Sequence, residues 1–300
     1  MKQSRSRRSV LYVPATNIKA MSKVAGLDCD AVIFDLEDSV APQAKAEARQ
    51  NLSGFFASNQ APRHQEWIIR INATPEGLDV ADVGLVAACK PDAMLIPKLD
   101  NTDTLGDARD MLTAHTDAAV RLWGMIETPR AIVDLRPLAG FGSSAGIGLD
   151  CFVAGTNDLA KETGLPLPEG RKTIEHWLAL LVLHARAFGI DVVDGVYNDF
   201  RDEEGFAAEC RTGSLLGFDG KTLIHPAQIA TANATFSPSQ SAIDEAKAVV
   251  AAFALPENEG KGVISMNGRM VEILHLDMAQ KTLRKAGLID SQVRDQFHMK

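Results

Sequence analysis

Short apolar runs alternate with longer amphipathic stretches along most of this chain, and that alternation is the strongest constraint on its fold. A run that is apolar throughout is typical of a parallel strand buried on both faces, and helical periodicity between such runs is typical of crossover helices. The predicted strands are Ser9–Val13, Ala31–Leu36, Trp67–Ile71, Ala93–Ile96, Arg121–Ile126, Gly146–Ala154, Asp191–Val193 and Gly217–Ile224. The predicted helices between them are Ile18–Ala25, Lys45–Phe56, Ala81–Ala88, Thr102–Ala114, Pro129–Leu138, Arg171–Phe188 and Glu203–Thr212.

These elements predict an α/β fold, a (β/α)8 TIM barrel, although a doubly wound open sheet has the same local pattern. The chain has 300 residues, 46% of them hydrophobic, which is enough apolar material for one large core. Beyond Ile224 the pattern changes to helices at Ala227–Asn233, Gln240–Ala254 and about His275–Ala286, with a short strand at Val263–Met266. We therefore expect a barrel catalytic domain over 1–236 and a C-terminal helical/β extension over 237–300, acting as a lid or an inter-subunit arm.

Composition excludes several classes of protein. The net charge is −8 and no stripe of Lys and Arg is present, so nucleic acid is not expected as a main partner. No stretch approaches the ~20 apolar residues that a membrane span needs, and the polar, basic start at Met1–Ser9 lacks a signal-peptide core. The four cysteines are widely spaced and form no Cys-x-x-Cys pair, which fits a reducing cytoplasm.

Polar and ionisable side chains follow the predicted strands at the points where they end. In (β/α)8 barrels the catalytic groups come from the C-terminal ends of the strands and the loops after them. Any one of these groups alone is equally a helix cap or a surface ion pair, but together they predict one functional rim. They are Glu37 and Asp38, Asn72 together with Arg70 inside the strand before it, Lys98, Glu127 and Thr128, Asn157 and Asp158, Asp194, and His225.

The acids of this rim point to a metal site. Carboxylates without a cluster of His or Cys suit a hard, oxygen-seeking cation such as Mg²⁺. Glu127 and Asp158 follow consecutive predicted strands, so both can point into the barrel mouth. The alternative for Asp158 is a helix N-cap, because it precedes Leu159–Thr163 and Asp is a favoured cap. From the residues alone both interpretations stay open.

A set of sequence segments in a fixed order carries a family resemblance over nearly the whole chain. FDLEDSVAP and the long VDG…DEEGF stretch are the specific ones. The segments are RSVLYVPA (8–15), DAVIFDLEDSVAP (30–42), KAEAR (45–49), IIRIN (68–72), LIPKL (95–99), IETPRA (126–131), GTNDLAKE (155–162), VVDGVYNDFRDEEGF (192–206), GFDGKTLIHPAQI (217–229) and GKGVISMNGRM (260–270). With them the chain resembles the β subunit of citrate lyase and its relatives, the malyl-CoA and citramalyl-CoA lyases of the HpcH/HpaI aldolase superfamily.

The resemblance implies a (β/α)8 barrel with a C-terminal extension, assembled as a homotrimer or a multiple of trimers such as a hexamer. It implies that Glu127 and Asp158 ligate Mg²⁺, with Mn²⁺ as the alternative metal. It implies that Arg70 contacts the carbonyl or carboxylate of the substrate, and that Glu37 and Asp38 hold Arg70 and metal-bound waters. For Asp38 a plain structural ion pair is the alternative.

The resemblance also implies a coenzyme A thioester across the barrel mouth, with its phosphates met by basic residues early in the chain. Lys23 matches one such position. Asn17 stands where many relatives have Arg, and Lys19 is the neighbour that would compensate. Glu272 stands where the lyases have an Asp that reaches into the neighbouring subunit's site and handles a proton. The longer side chain would move the acid by ~1 Å or more, and misplacement of that size can cost ~10²-fold in rate.

We therefore expect a cytoplasmic, Mg²⁺-dependent carbon–carbon lyase that cleaves or forms a short 3-hydroxyacyl-CoA, such as malyl-CoA or citramalyl-CoA, with acetyl-CoA and a 2-oxo acid as the products or reactants. Arg70 would stabilise the thioester enolate and Glu272 would handle the proton on the enolate carbon. The alternatives are a citryl-ACP lyase subunit of citrate lyase, a malyl-CoA thioesterase, a class II aldolase on free 2-oxo acids, and a barrel kept as a binding module without activity.

Overall fold

The computed structural model describes residues 6–74, 76–167 and 171–289, and in them eight parallel strands close into a barrel. In chain order the strands of the first unit are β1 (Ser9–Pro14), β2 (Ala31–Asp35), β3 (Glu66–Arg70), β4 (Ala73–Thr74), β5 (Gly77–Leu78), β6 (Ala93–Ile96), β7 (Arg121–Ile126), β8 (Leu149–Ala154), β9 (Asp191–Asp194) and β10 (Gly220–Leu223). The barrel runs in the order β1-β10-β9-β8-β7-β6-β3-β2, and the short β4 and β5 form a separate antiparallel hairpin. The predicted TIM barrel is confirmed, and the open-sheet alternative is wrong because β1 pairs with β10.

Helices connect the strands and cover the outside of the barrel. The helices of the first unit are α1 (Ile18–Met21), α2 (Lys45–Ser58), α3 (Val80–Cys89), α4 (Thr102–His115), α5 (Pro129–Val133), α6 (Leu135–Gly142), α7 (Thr156–Thr163), α8 (Glu175–Ala187), α9 (Glu203–Leu216) and α10 (Ile229–Phe236). The single helix predicted at Pro129–Leu138 is two helices, with Asp134 ending the first and starting the second. No helix in the described part of the chain is long and apolar enough to cross a membrane.

The chain divides into two compact units, one spanning Arg7–Phe236 and the other starting at Ser237. The second unit contains α11 (Gln240–Phe253), the antiparallel pair β11 (Val263–Met266) and β12 (Arg269–Glu272), and α12 (Ile273–Lys285). Its own apolar core includes Val249, Phe253, Ile264 and Leu283. The sequence predicted β11 and the final helix but not β12. The use of this unit as a lid or an inter-subunit arm stays a prediction.

Alternation along the barrel strands separates two apolar layers. Successive side chains of a strand point to opposite faces. One set packs inside the barrel and includes Val10, Ile33, Ile68, Trp123 and Val153. The other set faces the helices in the larger outer core. The barrel interior is therefore a packed core, and a ligand has to enter at the mouth.

Buried ion pairs close the end of the barrel where the strands begin. The Arg7 guanidinium donates to Glu66 from Nε at 2.8 Å, to Asp191 from Nη1 at 2.6 Å, and also to the Asp150 carboxylate. It lies 4.7 Å from the centre of the Trp123 ring. Because carboxylates surround it, this buried cation is neutralised and serves stability. The opposite end of the barrel, where the strands finish, is the end that carries the candidate site.

Candidate active site

The inward alternation of three strands places charged side chains at the barrel mouth. The next inward-facing position after the inner core is charged in each of these strands. It is Asp35 at the end of β2, Arg70 at the end of β3 and Glu127 directly after β7. Asp35 and Arg70 are register partners in neighbouring strands, so their side chains emerge side by side. The strands themselves therefore bring a cation and two acids into one buried region.

Arg70 is held by a bidentate pair with Asp35. Its Nε donates to Asp35 Oδ1 at 2.6 Å and its Nη2 donates to Oδ2 at 2.7 Å. Asp35 also accepts from the Glu37 amide at 2.9 Å and from the Ser39 hydroxyl at 2.5 Å. Burial alone would raise the pKa of Asp35, but the hydrogen bonds and charge of Arg70 outweigh it and lower that pKa. This buried carboxylate therefore stays ionised and fixes the direction of the guanidinium.

Two further acids flank the free side of Arg70. Its Nη1 lies 2.8 Å from Glu37 Oε2 and 3.4 Å from Asp38 Oδ2. The other Glu37 oxygen accepts from Lys98 Nζ at 2.7 Å. Burial raises the pKa of Glu37, while the charges of Arg70 and Lys98 oppose that effect. The structure thus brings Arg70, Glu37 and Asp38 into one cluster, and their catalytic roles stay predictions.

Lys98 links this cluster to Glu127. Its backbone has φ +48°, in the left-handed region that a residue with a side chain adopts at a cost. In that conformation the Lys98 amide donates to Glu127 Oε1 at 2.7 Å while its ammonium reaches Glu37. One strained residue therefore orients the acids on both sides of the mouth.

Glu127 presents a buried oxygen that no described residue satisfies. The residue has no exposed surface, and Oε2 lacks any hydrogen-bond partner in the described part of the chain. A Cβ on Gly155 would lie 2.3 Å from Glu127 Cβ and 2.7 Å from Oε2, so the carboxylate fills the space that glycine leaves. Burial raises the pKa of Glu127 to about 7. A buried carboxylate in this state fits a cation, which would supply the missing partner and favour the ionised form.

Asp158 lies in the first turn of α7, the helix that follows β8. The helix begins at Thr156 with Gly155 as its N-cap, so the alternative interpretation of Asp158 as the cap is wrong. Asp158 is half-buried and lines the same cavity as Gly155, against which Glu127 packs. Within the described ranges no cluster of three or more His, Cys, Asp and Glu side chains is arranged for a metal. A site with two carboxylates, completed by water and substrate oxygens, is the kind that Mg²⁺ accepts.

A cavity of about 370 Å³ opens at the barrel mouth. We call it the mouth cavity. It combines ionised groups with an apolar side formed by Tyr12, Met125 and Val196, as expected for a small-molecule site. Its other lining residues are Pro14, Asp35, Asp38, Ser39, Arg70, Ala154, Gly155, Thr156, Asn157, Asp158, Asn198, Thr222 and Ile224.

A second cavity of about 370 Å³ adjoins β1 and α1, and we call it the β1–α1 cavity. Lys19 and Lys23 both line it, so the structure brings together the two lysines proposed for coenzyme A. Asn17 lines it as well, but its Oδ1 accepts from the Ala20 amide at 3.0 Å as the N-cap of α1. Tyr12, together with Pro14 and Ile224, lines both cavities.

Two residues that the sequence predicts at the rim have other surroundings. Asp194 is fully buried, and it accepts from Arg171 at 2.7 and 2.9 Å and from Lys221 at 3.0 Å. Burial alone would raise its pKa, but the charges of Lys221 and Arg171 lower it to about 2. His225 accepts from the Ala227 amide at 3.2 Å as a helix cap. Asp194 is therefore a structural anion, and His225 caps a helix turn.

Glu272 lies in the second unit, at the end of β12 and the N-cap position of α12. Its amide donates to His275 Nδ1 at 2.9 Å. Its function in a neighbouring subunit stays a prediction.

The sequence analysis missed two residues of the site, Asp35 and Tyr12. The signal that could have found them is the alternation of inward-facing residues along a strand, because Asp35 is two residues after Ile33 and Tyr12 is two residues after Val10.

Known proteins resemble this chain along almost its whole length. A (3S)-malyl-CoA thioesterase of Cereibacter sphaeroides is 42% identical over 287 residues, covering 96% of this chain and 97% of the relative. The mitochondrial citramalyl-CoA lyase of Rattus norvegicus is 30% identical over 291 residues, covering 93% of this chain and 86% of the relative. The crystal structure of protein CitE from Mycobacterium tuberculosis, in complex with magnesium, acetoacetate and coenzyme A, is similar with a TM-score of 0.74 and 27% identity. That similarity covers 94% of this chain and 98% of the other.

The family assignment rests on more than these pairwise similarities. The profile of the HpcH/HpaI aldolase/citrate lyase family matches residues 8–226, which span the barrel from β1 to the turn after β10. The matched range contains Arg70, Glu127 and Asp158. The chain therefore belongs to the HpcH/HpaI aldolase/citrate lyase family, a family of carbon–carbon lyases and related enzymes.

Proposed function

We propose that this protein is a Mg²⁺-dependent carbon–carbon lyase that cleaves or forms a short 3-hydroxyacyl-CoA such as malyl-CoA or citramalyl-CoA. The observation that carries the proposal is the unsatisfied Oε2 of Glu127, which is buried against Gly155, a residue that lines the mouth cavity. A buried carboxylate oxygen without a donor is costly unless a ligand completes it. Asp158 and Arg70 line the same cavity, which supplies a second acid and a fixed cation.

Glu127 and Asp158 are the residues that would hold the metal, with Mn²⁺ as a substitute for Mg²⁺. When bound, the metal supplies Lewis-acid stabilisation of negative charge on substrate oxygen. CitE, which has a similar fold, was crystallised in complex with magnesium, acetoacetate and coenzyme A, and that complex supports this choice of cation and ligand.

Cleavage of a 3-hydroxyacyl-CoA breaks the bond between its second and third carbons. The hydroxyl gives its proton to solvent, the third carbon becomes the carbonyl of a 2-oxo acid, and the electron pair of the broken bond forms a thioester enolate. Arg70 would stabilise the enolate oxygen, and this role is supported by its place in the lining of the mouth cavity and by the double hydrogen bond with which Asp35 fixes its guanidinium. Glu37 and Asp38 keep this cation paired when no substrate is bound. Protonation of the enolate carbon then gives acetyl-CoA.

We propose Glu272 as the acid that protonates this carbon, acting from the second unit of a neighbouring subunit. This requires a homo-oligomer, and we propose a trimer or a hexamer in which residues 237–300 are the inter-subunit arm. Lys19 and Lys23 are proposed to meet the phosphates of coenzyme A, since both line the β1–α1 cavity. Asn17 does not replace an arginine there, because it is engaged as a helix cap.

Hydrolysis of malyl-CoA is a second candidate function. The observation that favours it is the 42% identity to a (3S)-malyl-CoA thioesterase over 96% of this chain. The substrate would be the same, but water would attack the thioester carbonyl, and the products would be malate and free coenzyme A. Arg70 would stabilise the oxyanion of that step.

One product analysis distinguishes these reactions. The purified protein is incubated with malyl-CoA and citramalyl-CoA, with Mg²⁺ or with EDTA, and the products are separated by liquid chromatography. Lysis of the carbon–carbon bond releases acetyl-CoA and a 2-oxo acid, whereas hydrolysis releases a free thiol and a hydroxy acid. Cleavage of aldol adducts of free 2-oxo acids, without coenzyme A, would instead support the class II aldolase. Cleavage of citryl groups only when they are carried by an acyl carrier protein would support the citrate lyase subunit. No turnover of any short hydroxyacyl-CoA by metal-loaded protein would contradict the proposal.

A further inference from the structure

Two hydrogen-bond donors meet at one poor acceptor in the mouth cavity. The Tyr12 hydroxyl and Arg70 Nη1 each lie 3.7 Å from the Met125 sulfur. A thioether is a weak acceptor, and a phenol normally donates to an oxygen at ~2.7 Å. Tyr12, Arg70 and Met125 all line the mouth cavity. The Tyr12 hydroxyl therefore has only a weak acceptor among the described residues. Arg70 Nη1 points to the same sulfur, although it also contacts the Glu37 and Asp38 carboxylates at 2.8 and 3.4 Å.

The position of Tyr12 is fixed by the barrel. It is the second inward residue of β1, after Val10, and its side chain packs against the inner core. The Arg70 guanidinium lies 5.1 Å from the centre of the Tyr12 ring, which is within cation–π distance. Burial raises the pKa of Tyr12 well above its ordinary value, so the phenol stays protonated. A protonated hydroxyl in this position is a donor and not a base.

Tyr12 also stands where the two cavities adjoin. It lines the mouth cavity with Arg70 and Asp158, and it lines the β1–α1 cavity with Lys19 and Lys23. A thioester with its coenzyme A part near the lysines and its acyl part in the mouth cavity would pass Tyr12 at the thioester group.

We infer that Tyr12 is a catalytic residue whose hydroxyl, beside Arg70, donates a hydrogen bond to the thioester oxygen as that oxygen becomes negatively charged. The inference rests on the proposed function, because it assumes a thioester in the mouth cavity. The Met125 side chain is unbranched and flexible, so it can move aside when an oxygen takes its place. The oxygen then has two donors, a neutral phenol and a guanidinium, as in an oxyanion hole.

The test uses two phenylalanine variants. The chain contains two tyrosines, so Tyr12→Phe and Tyr197→Phe each remove one hydroxyl. Tyr12→Phe keeps an aromatic ring beneath Arg70. Tyr197 donates to Asp202 at 2.5 Å on the protein surface and does not line the mouth cavity, which makes it the matched control. For each variant we would measure kcat and KM, acetyl-CoA binding to the Mg²⁺-loaded protein by calorimetry, and the melting temperature.

We expect Tyr12→Phe to lower kcat by roughly 10²-fold, the effect of removing one oxyanion donor, with a much smaller change in KM. Acetyl-CoA affinity should fall by roughly 2–10-fold, because a neutral hydrogen bond is lost in the ground state. Tyr12→Phe should keep the wild-type melting temperature, and Tyr197→Phe should match the wild type in kcat, KM and acetyl-CoA affinity. A Tyr12→Phe enzyme with wild-type kcat and acetyl-CoA affinity would overturn the inference.

The two proposals can fail separately. If the wild type binds acetyl-CoA but turns over no hydroxyacyl-CoA, the proposed function fails while the acetyl-CoA affinities of the two variants still decide the role of Tyr12. If the wild type does not bind acetyl-CoA, the inference on Tyr12 is overturned as well.

Discussion

Asp35 and Arg70 are register partners on β2 and β3 and form a double hydrogen bond, with Nε to Oδ1 at 2.6 Å and Nη2 to Oδ2 at 2.7 Å. Asp35 is 1% exposed and Arg70 5% exposed, so the pair is buried. It leaves Nη1 of Arg70 for Glu37, Asp38 and the mouth cavity. Asp35 is thus the positioning residue for the cation of the site.

Asp35→Asn should destabilise the fold, because Arg70 would then be a buried charge without its main counter-ion. Removing one partner of a buried ion pair costs roughly 3–5 kcal/mol, and urea unfolding measures the loss. Asp38→Asn is the matched control, since its side chain is 57% exposed and 3.4 Å from Arg70. The unfolding free energy lost in Asp38→Asn should be about 0–1 kcal/mol. Equal losses for the two variants would contradict the distinction drawn between them.

Glu127 predicts a pH dependence for the metal-free protein. Its pKa is about 7 in the fold, above the ordinary value of 4.5. The native state therefore binds the Glu127 proton more tightly than the unfolded state does. The contribution of this proton to the unfolding free energy is fully present below pH 4.5 and is lost as the pH rises through about 7. The loss should amount to roughly 3 kcal/mol, from about 1.4 kcal/mol per pKa unit.

Glu127→Gln provides the test of this account. The variant cannot ionise, so in EDTA its unfolding free energy should not show the decrease through neutral pH, and above that range it should exceed the wild type. Urea unfolding at a series of pH values measures both. A wild-type profile as flat as that of Glu127→Gln would show that burial does not hold Glu127 in its protonated form.

Gly155→Ala should disrupt the metal site. The new Cβ would lie 2.3 Å from Glu127 Cβ, which is the base of the side chain and cannot simply rotate away. The carboxylate must shift, and the affinity for metal should fall by roughly 10–100-fold. Losses of this size are typical when a residue that holds a metal-ligating side chain in place is changed. Calorimetric titration with Mg²⁺ measures this.

Gly54→Ala is the control for Gly155→Ala. Gly54 lies within α2, and among the described residues, its two chain neighbours and the helix backbone apart, no atom lies within 4 Å of its added Cβ. This variant should keep wild-type metal affinity and gain roughly 0.5–1 kcal/mol of stability from the better helix former. If Gly155→Ala bound Mg²⁺ as tightly as Gly54→Ala does, the packing of Gly155 on Glu127 would have no part in the metal site.

The fold could be predicted largely from the sequence, because strands buried on both faces leave continuous apolar runs. The starts and ends of β6 and β7 were predicted to the residue. The strand pattern alone did not separate a closed barrel from an open sheet, since closure depends on the pairing of β1 with β10, which lie at opposite ends of the first unit. The β12 strand was also missed, because its four residues begin with Arg269 and end with Glu272 and so form no continuous apolar run.

The site was predicted in part, and the errors have a common cause. Sequence reasoning examined the residues after each strand and so found Glu37, Asp38 and Glu127. It overlooked Asp35, which is the last residue inside β2. It also placed Asp194 at the rim, because its ion pair with Lys221, 27 residues further along the chain, becomes visible only when β9 and β10 are paired.

The central claim is that Glu127 and Asp158 hold a divalent cation at the barrel mouth, and Mn²⁺ electron paramagnetic resonance tests it most directly. The wild type should bind one Mn²⁺ per chain, displaced by Mg²⁺, and Glu127→Gln and Asp158→Asn should each lose that binding. Asp110→Asn, an exposed acid on α4, should bind as the wild type does. Wild-type Mn²⁺ binding in both Glu127→Gln and Asp158→Asn would contradict the account.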